Sequence, residues 1–187
     1  MALRYLTGLI VVALLQSTAA PGYACAPVVE VRFMESGGGD IFIIDNQSRS
    51  PLSLVSLSIQ LANSRGRLVF DTADGGAGTS MHQPFEPVTD DVGLVGVPIV
   101  LDGSQVLRLH FKAFTAGRQF MFVIDLDDQL GHSDFGQADF GQAIVSGAEI
   151  EGAEAHAILR SAEGTQAAAK GMFTSDGRAL LTGGLCV

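Results

Sequence analysis

The stretch QFMFVIDLDD, residues 119–128, puts Phe120, Phe122, Ile124 and Leu126 at alternate positions. A period of two is the signature of a strand with one buried face. The same period recurs along most of the chain. Val29, Val31 and Phe33 alternate in VVEVRFME, and GGGD at 37–40 turns that strand into IFIID. Leu57, Ile59 and Leu61 alternate in LSLVSLSIQLA, where the step from Leu54 to Val55 breaks the pattern and predicts a bulge. RGRLVFD adds a short strand.

Residues 72–91 are rich in Gly, Pro and polar side chains and read as a long loop. GLVGVPIVLDGSQVLRLHFKAF reads as a hairpin turning at Asp102-Gly103, with Leu107, Leu109 and Phe111 on the buried face. IVSGAEI reads as strand. So does AEAHAILR, with Ala153, Ala155, Ala157 and Leu159 facing inward, and so do TQAAAKGMF and RALLT. Ten or eleven short strands with frequent glycine turns predict an all-β fold: a single antiparallel β-sandwich, jelly-roll-like. No linker marks a second domain.

Residues 1–24 have the form of a secretory signal peptide. Arg4 supplies the positive start, LTGLIVVALL the apolar run and GYA the small-x-small cleavage site. The apolar run is too short to span a bilayer. The mature chain would be one domain, residues 25–187, secreted or periplasmic, with no transmembrane segment. A lipid anchor through Cys25 is disfavoured, because Gly22 stands where lipidated chains carry a Leu-type residue. The other cysteine is Cys186. Two cysteines in an exported chain most simply form one disulfide, which would join the chain ends and set the first and last strands side by side.

The whole chain carries 11 basic and 20 acidic residues. This balance argues against nucleic acid and against anionic membranes, and it suits cation binding. There is no Trp, and the two Tyr fall at positions 5 and 23, within the signal segment. Sugar-stacking faces are therefore missing, which counts against a glycan-binding module.

By strand parity Asp125 and Asp127 share the face opposite Phe120, Phe122, Ile124 and Leu126, with Asp128 just beyond. SGAEIEGAE adds Glu149 and Glu151. Calcium takes about six to eight oxygens, several from carboxylates on loops. Asp125, Asp127, Asp128 and Glu149 are the candidate ligands. The spacing is not that of an EF-hand, since Leu130 holds the place of the invariant glycine.

His82, His110, His132 and His156 are scattered, outside any HExxH pattern, and there is no GxSxG elbow. The expectation is no catalytic site. A hydrolase working through two carboxylates is the remaining enzymatic reading. The exact tandem copy DFGQADFGQA, residues 134–143, is odd in length. Inside a paired strand it would flip every later side chain, so parity confines it to a loop.

VRFMESGGGDIFIIDNQ, HQPFEP and FVIDLDDQLG followed by VSGAEIEGA resemble small exported bacterial proteins described as aggregation factor core, after a domain of the sponge proteoglycan aggregation factor. The resemblance implies an extracellular β domain and calcium-dependent adhesion or self-association. The partner would be an extracellular protein, a polysaccharide or a second copy. The positions matching its acidic motifs are Asp125, Asp127, Asp128 and Glu149; the DFGQA duplication lies between those motifs.

Overall fold

The computed structural model describes residues 27–49, 52–78, 82–89, 91–128 and 147–183. The proposed signal peptide, both cysteines, His132 and the DFGQA duplication lie outside the described residues.

Ten strands are described: β1 (Val28–Met34), β2 (Asp40–Asn46), β3 (Ser53–Gln60), β4 (Val69–Asp71), β5 (Glu86–Pro87), β6 (Val106–Phe114), β7 (Gln119–Asp127), β8 (Glu154–Arg160), β9 (Gln166–Met172) and β10 (Arg178–Thr182). One helical turn, α1, covers Gly147–Ile150. Among the described residues no helix is long and apolar enough to cross a membrane.

All named pairings are antiparallel and build one continuous sheet in the order β4-β7-β2-β1-β10-β9-β8-β3-β6. The sheet curls until its ends nearly meet. At one end of the seam Phe70 on β4 bridges to Ser104, just ahead of β6. Lower down, β5 pairs with β7, and Leu94 bridges to Phe111 on β6. The expected all-β antiparallel fold is present, as a single sheet nearly closed into a barrel. Closure removes the exposed edges that an open sheet of this width would offer.

The alternation read from the sequence sorts the side chains as expected. Val29, Val31, Phe33, Leu57, Ile59, Leu61, Phe120, Phe122, Ile124 and Leu126 all point into one core, as do Ala153, Ala155, Ala157 and Leu159. Phenylalanine fills it: Phe122 stacks on Phe42 at 5.1 Å and on Phe85 at 4.9 Å, and Phe111 meets Phe114 and Phe120 edge-on. The expected bulge is present, as a register shift between Leu54 and Ser56 against both neighbours. β1 and β10 are paired, Val28 opposite Thr182, so the first and last strands do lie side by side.

Two expectations are corrected. The segment before Asp102 is no hairpin strand; only Leu94 bridges to β6, with Val95 N–H donating to the His110 carbonyl at 2.8 Å. Gly96 turns at φ 68° and Pro98 has no N–H to give, so the ladder stops there. Residues 147–150 of IVSGAEI form a helical turn and no strand. The carbonyls of Glu149 and Glu151 accept from Gly66 N–H and Arg65 N–H, satisfying the turn from outside.

At the far end of the barrel Asn46 is buried and ties three elements together. Its amide donates to the carbonyls of Leu52 (3.3 Å) and Phe114 (2.9 Å), and its side-chain oxygen accepts from Ser48 N–H. Asn46→Leu should cost roughly 1–3 kcal/mol, because these buried groups lose their partners. Urea unfolding would measure it; an unchanged midpoint would show that other groups satisfy them.

Candidate functional site

The acidic groups gather where β7 finishes and β2 begins. Asp125 and Asp127 share the outer face of β7, as strand parity expects, since Ile124 and Leu126 between and beside them are buried in the core. Asp128 follows; its N–H donates to Asp127 Oδ1 at 3.0 Å.

Glu149 is placed differently from the expectation of a facing strand. It is buried on α1 against the turn at Gly66, where a methyl added to the glycine would meet the Glu149 Cβ at 3.0 Å. Among the described residues no three His, Cys, Asp or Glu side chains form a ready-made metal set. Asp125, Asp127 and Asp128 are thus brought together by one strand, while Glu149 belongs to a separate turn.

The structure adds acids that the sequence reading passed over. β4 lies antiparallel to β7 with Asp71 directly opposite Asp125 and Val69 opposite Asp127. Asp71 is only 3% exposed; no N–H or O–H donor reaches its Oδ1, and its carboxyl pairs with that of Asp102. An ideal Cβ built on Gly78 would fall 2.0 Å from Asp71 Oδ2 and 2.4 Å from Asp127 Oδ2. The two oxygens are therefore no further apart than the sum of those distances. Glycine is required at position 78 because the backbone lies directly over this pair of carboxylates.

Asp102 orders the neighbouring loop. Its carboxylate accepts from Thr72 N–H at 2.9 Å and from Ala77 N–H at 2.6 Å. Asp40, inward-facing at the start of β2, accepts from Ser36 N–H and Leu126 N–H, both at 3.2 Å.

Crowded carboxyl groups hold their protons. Burial, then the charge of Asp125, pushes Asp40 up to about 8. Burial, then the charges of Asp127 and Asp71, pushes Asp125 up to about 7. Asp71 is also raised, by burial first and by Asp102 beside it. Asp102 moves the other way, held ionised chiefly by Thr72 N–H. Of that pair Asp71 is therefore the one that takes up a proton first as the pH falls.

Asp71 and Asp102 were both legible as residues but not as site members. Asp71 ends a short strand before Gly-rich TADGGAG, and Asp102 reads only as a turn former. The pairing of β4 with β7 sets Asp71 beside Asp125, and the bridge from Phe70 to Ser104 brings Asp102 to Asp71.

Among the described residues the histidines contribute nothing comparable. His82 and His110 are exposed, and His156 Nε2 meets Glu154 Oε2 at 3.0 Å on the outer surface.

No protein-family model matches the chain, and no curated protein or solved structure matches it either.

Proposed function

We propose that this protein is an exported, calcium-binding, non-catalytic module for adhesion or extracellular-matrix association. The observation that carries the reading is the convergence of Asp71, Asp125 and Asp127 at one end of the barrel. Asp71 and Asp125 have no ion pair with Lys, Arg or His among the described residues. Hard cations seek such oxygen-rich places. The acidic composition, the signal-like first 24 residues and the resemblance to aggregation factor core proteins support the same reading. A Cys25–Cys186 bridge belongs to it, and the pairing of β1 with β10 supports that bridge by bringing Val28 opposite Thr182.

Association is supported by a second feature. Val95, Val97, Ile99 and Leu101 lie at alternate positions along the chain and are all exposed, Ile99 at 93%. Residues 92–101 include no charged side chain. Leu94 and Val100 pack against the core, so the outward side chains are held in place. An apolar row of this kind marks an interaction surface.

Light scattering at matched ionic strength tests the reading. Calcium should increase the particle size of the wild type, and Ile99→Ser with Leu101→Ser should reduce that increase at least severalfold. A size that ignores calcium in the presence of every extracellular partner tried would sink the adhesive role.

A further inference from the structure

We propose that the outer face of β6, β3, β8 and β9 is a docking surface for a linear anionic polysaccharide, one that carries sulfate or carboxylate groups. This rests on the matrix-association reading above and names the partner.

The register of the strands builds a row of side chains across the sheet. Arg108 on β6 stands opposite Ser58 on β3, Ser58 opposite His156 on β8, and His156 opposite Lys170 on β9. Lys170 in turn stands opposite Thr182 on β10. Their chain neighbours Leu107, Leu109, Leu57, Ala155, Ala157 and Ala169 are buried in the core, so the row points outward. Arg108 and Lys170 are separated by three strand spacings of about 4.8 Å each, or about 14 Å. His110 and Lys112 continue along β6, and Arg160 continues along β8 in the same direction, since both strands run antiparallel to β3. Arg108, Lys112, Arg160 and Lys170 are all exposed.

Acids on this face do not balance the charge. On these four strands the only acid is Glu154, which His156 Nε2 and Asn63 Nδ2 already engage at 3.0 and 3.2 Å. Among the described residues Arg108, Lys112, Arg160 and Lys170 make no ion pair. Arg32 on β1 and Arg178 on β10 differ, being matched by Asp45 and Glu30. Both lysines of the chain, Lys112 and Lys170, fall on this face, although acids outnumber bases 20 to 11 overall. Charge of one sign gathered against the net charge makes a local field that attracts its opposite.

The layout selects the kind of anion. The positive groups are spread over several strands on the outside of the barrel, which suits an extended polymer. Ser56, Ser58 and Gln60 lie among them as neutral hydrogen-bonding groups for hydroxyls. Every Phe among the described residues is buried, so no ring is offered to a nucleic-acid base. A polymer held by its charge needs no such ring. The lack of Trp and Tyr therefore counts against a neutral glycan and not against an acidic one.

The test is biolayer interferometry of the purified protein, with a chelator present, on immobilised dextran sulfate, polygalacturonate, uncharged dextran and duplex DNA. The wild type should bind dextran sulfate, polygalacturonate or both, and not uncharged dextran. Which of the two it binds names sulfate or carboxylate as the recognised group. Added salt should weaken binding, because exposed charges are screened. Arg108→Ser with Lys170→Ser should weaken it at least about tenfold, as contacts to the polyanion and the counterions they release are lost. Arg32→Ser with Arg178→Ser removes as much charge, yet should change it less than about twofold, because those arginines are already neutralised by surface pairs. Melts check that both variants fold. Should the first fail to fold, Lys112→Ser alone should still weaken binding.

Equal weakening by the two double variants would reduce the effect to net charge and overturn the proposal. So would binding to uncharged dextran as tight as to the charged polymers. Duplex DNA held more tightly than either acidic polysaccharide would overturn the choice of partner. A wild type that binds no acidic polysaccharide overturns the docking surface. Calcium-dependent growth in light scattering, measured without polymer, would then still stand or fall by itself.

Discussion

In calcium-free buffer the melting temperature should rise as the pH is lowered from 8 to about 5. Asp40 is responsible for most of this. Its carboxyl is buried beside Asp125 and Glu35, which pushes it up to about 8, against an ordinary value of 3.8. Between those two values the folded chain keeps a proton that the unfolded chain has released. Stability then falls with rising pH, by about 1.4 kcal/mol per unit for each such proton. The stabilising contribution is complete below 3.8 and is lost as the pH rises through about 8. Asp125, raised to about 7, and Asp71, also raised, add to the slope in the same direction. The opposite sign applies to Asp102, Glu154, Glu163 and Asp176, whose carboxyls are lowered; their contribution fails only in stronger acid. The optimum should accordingly lie near pH 4–5, below the range usual for proteins.

Calorimetric melts across this range, with a chelator present, would measure the slope. Asp40→Asn should flatten it. The same variant should be less stable than the wild type at pH 5, since Ser36 N–H and Leu126 N–H reach different oxygens of Asp40 and the amide nitrogen that replaces one of them cannot accept. A wild type that is equally stable at pH 5 and pH 8 would mean that Asp40 is not buried beside Asp125 as described.

Phe122→Ala should be the most damaging single substitution of a core side chain, costing roughly 3–5 kcal/mol. Phe122 is fully buried at the centre of the aromatic cluster, stacked on Phe42, packed on Phe85 and tilted against Phe120. Its loss removes apolar burial and leaves a cavity that the rings of Phe42, Phe85 and Phe120, each held by its own backbone, cannot fill. It also frees Phe85, which belongs to the segment that closes the barrel between β7 and β6. Urea denaturation would give the difference. Leu180→Ala, on an exposed position of β10, is the control and should change stability by less than about 0.5 kcal/mol. A Phe122→Ala loss no larger than the control's would show that the rings do not share one core.

The strands were legible because a half-buried strand must alternate. Phe120 to Leu126, Leu57 to Leu61 and Ala153 to Leu159 each write their buried face directly into the chain, and the bulge after Leu54 shows as a missed beat. The stretches that misled lack that constraint. VGLVGVPIVL alternates as well as any strand, but Gly96 and Pro98 deny it a ladder, and Val95, Val97, Ile99 and Leu101 remain in solvent. Residues 147–150 are too few to carry a period, and hydrogen bonds from Arg65 and Gly66 make them helical.

Strand parity alone sufficed to put Asp125 and Asp127 on one outer face, because side-chain direction is a local property of an extended chain. Which acid would stand opposite them was not local. Asp71 is 54 residues before Asp125, and Glu149 is 24 after it. The acidic motif SGAEIEGAE favoured Glu149. The register of β4 on β7 chose Asp71 instead, and closure of the sheet brought in Asp102. Two stacked sheets and one closed barrel require the same alternation of buried and exposed residues, so the sequence could specify the strands without distinguishing the two. Long-range pairing settled the architecture, and with it the company that each carboxylate keeps.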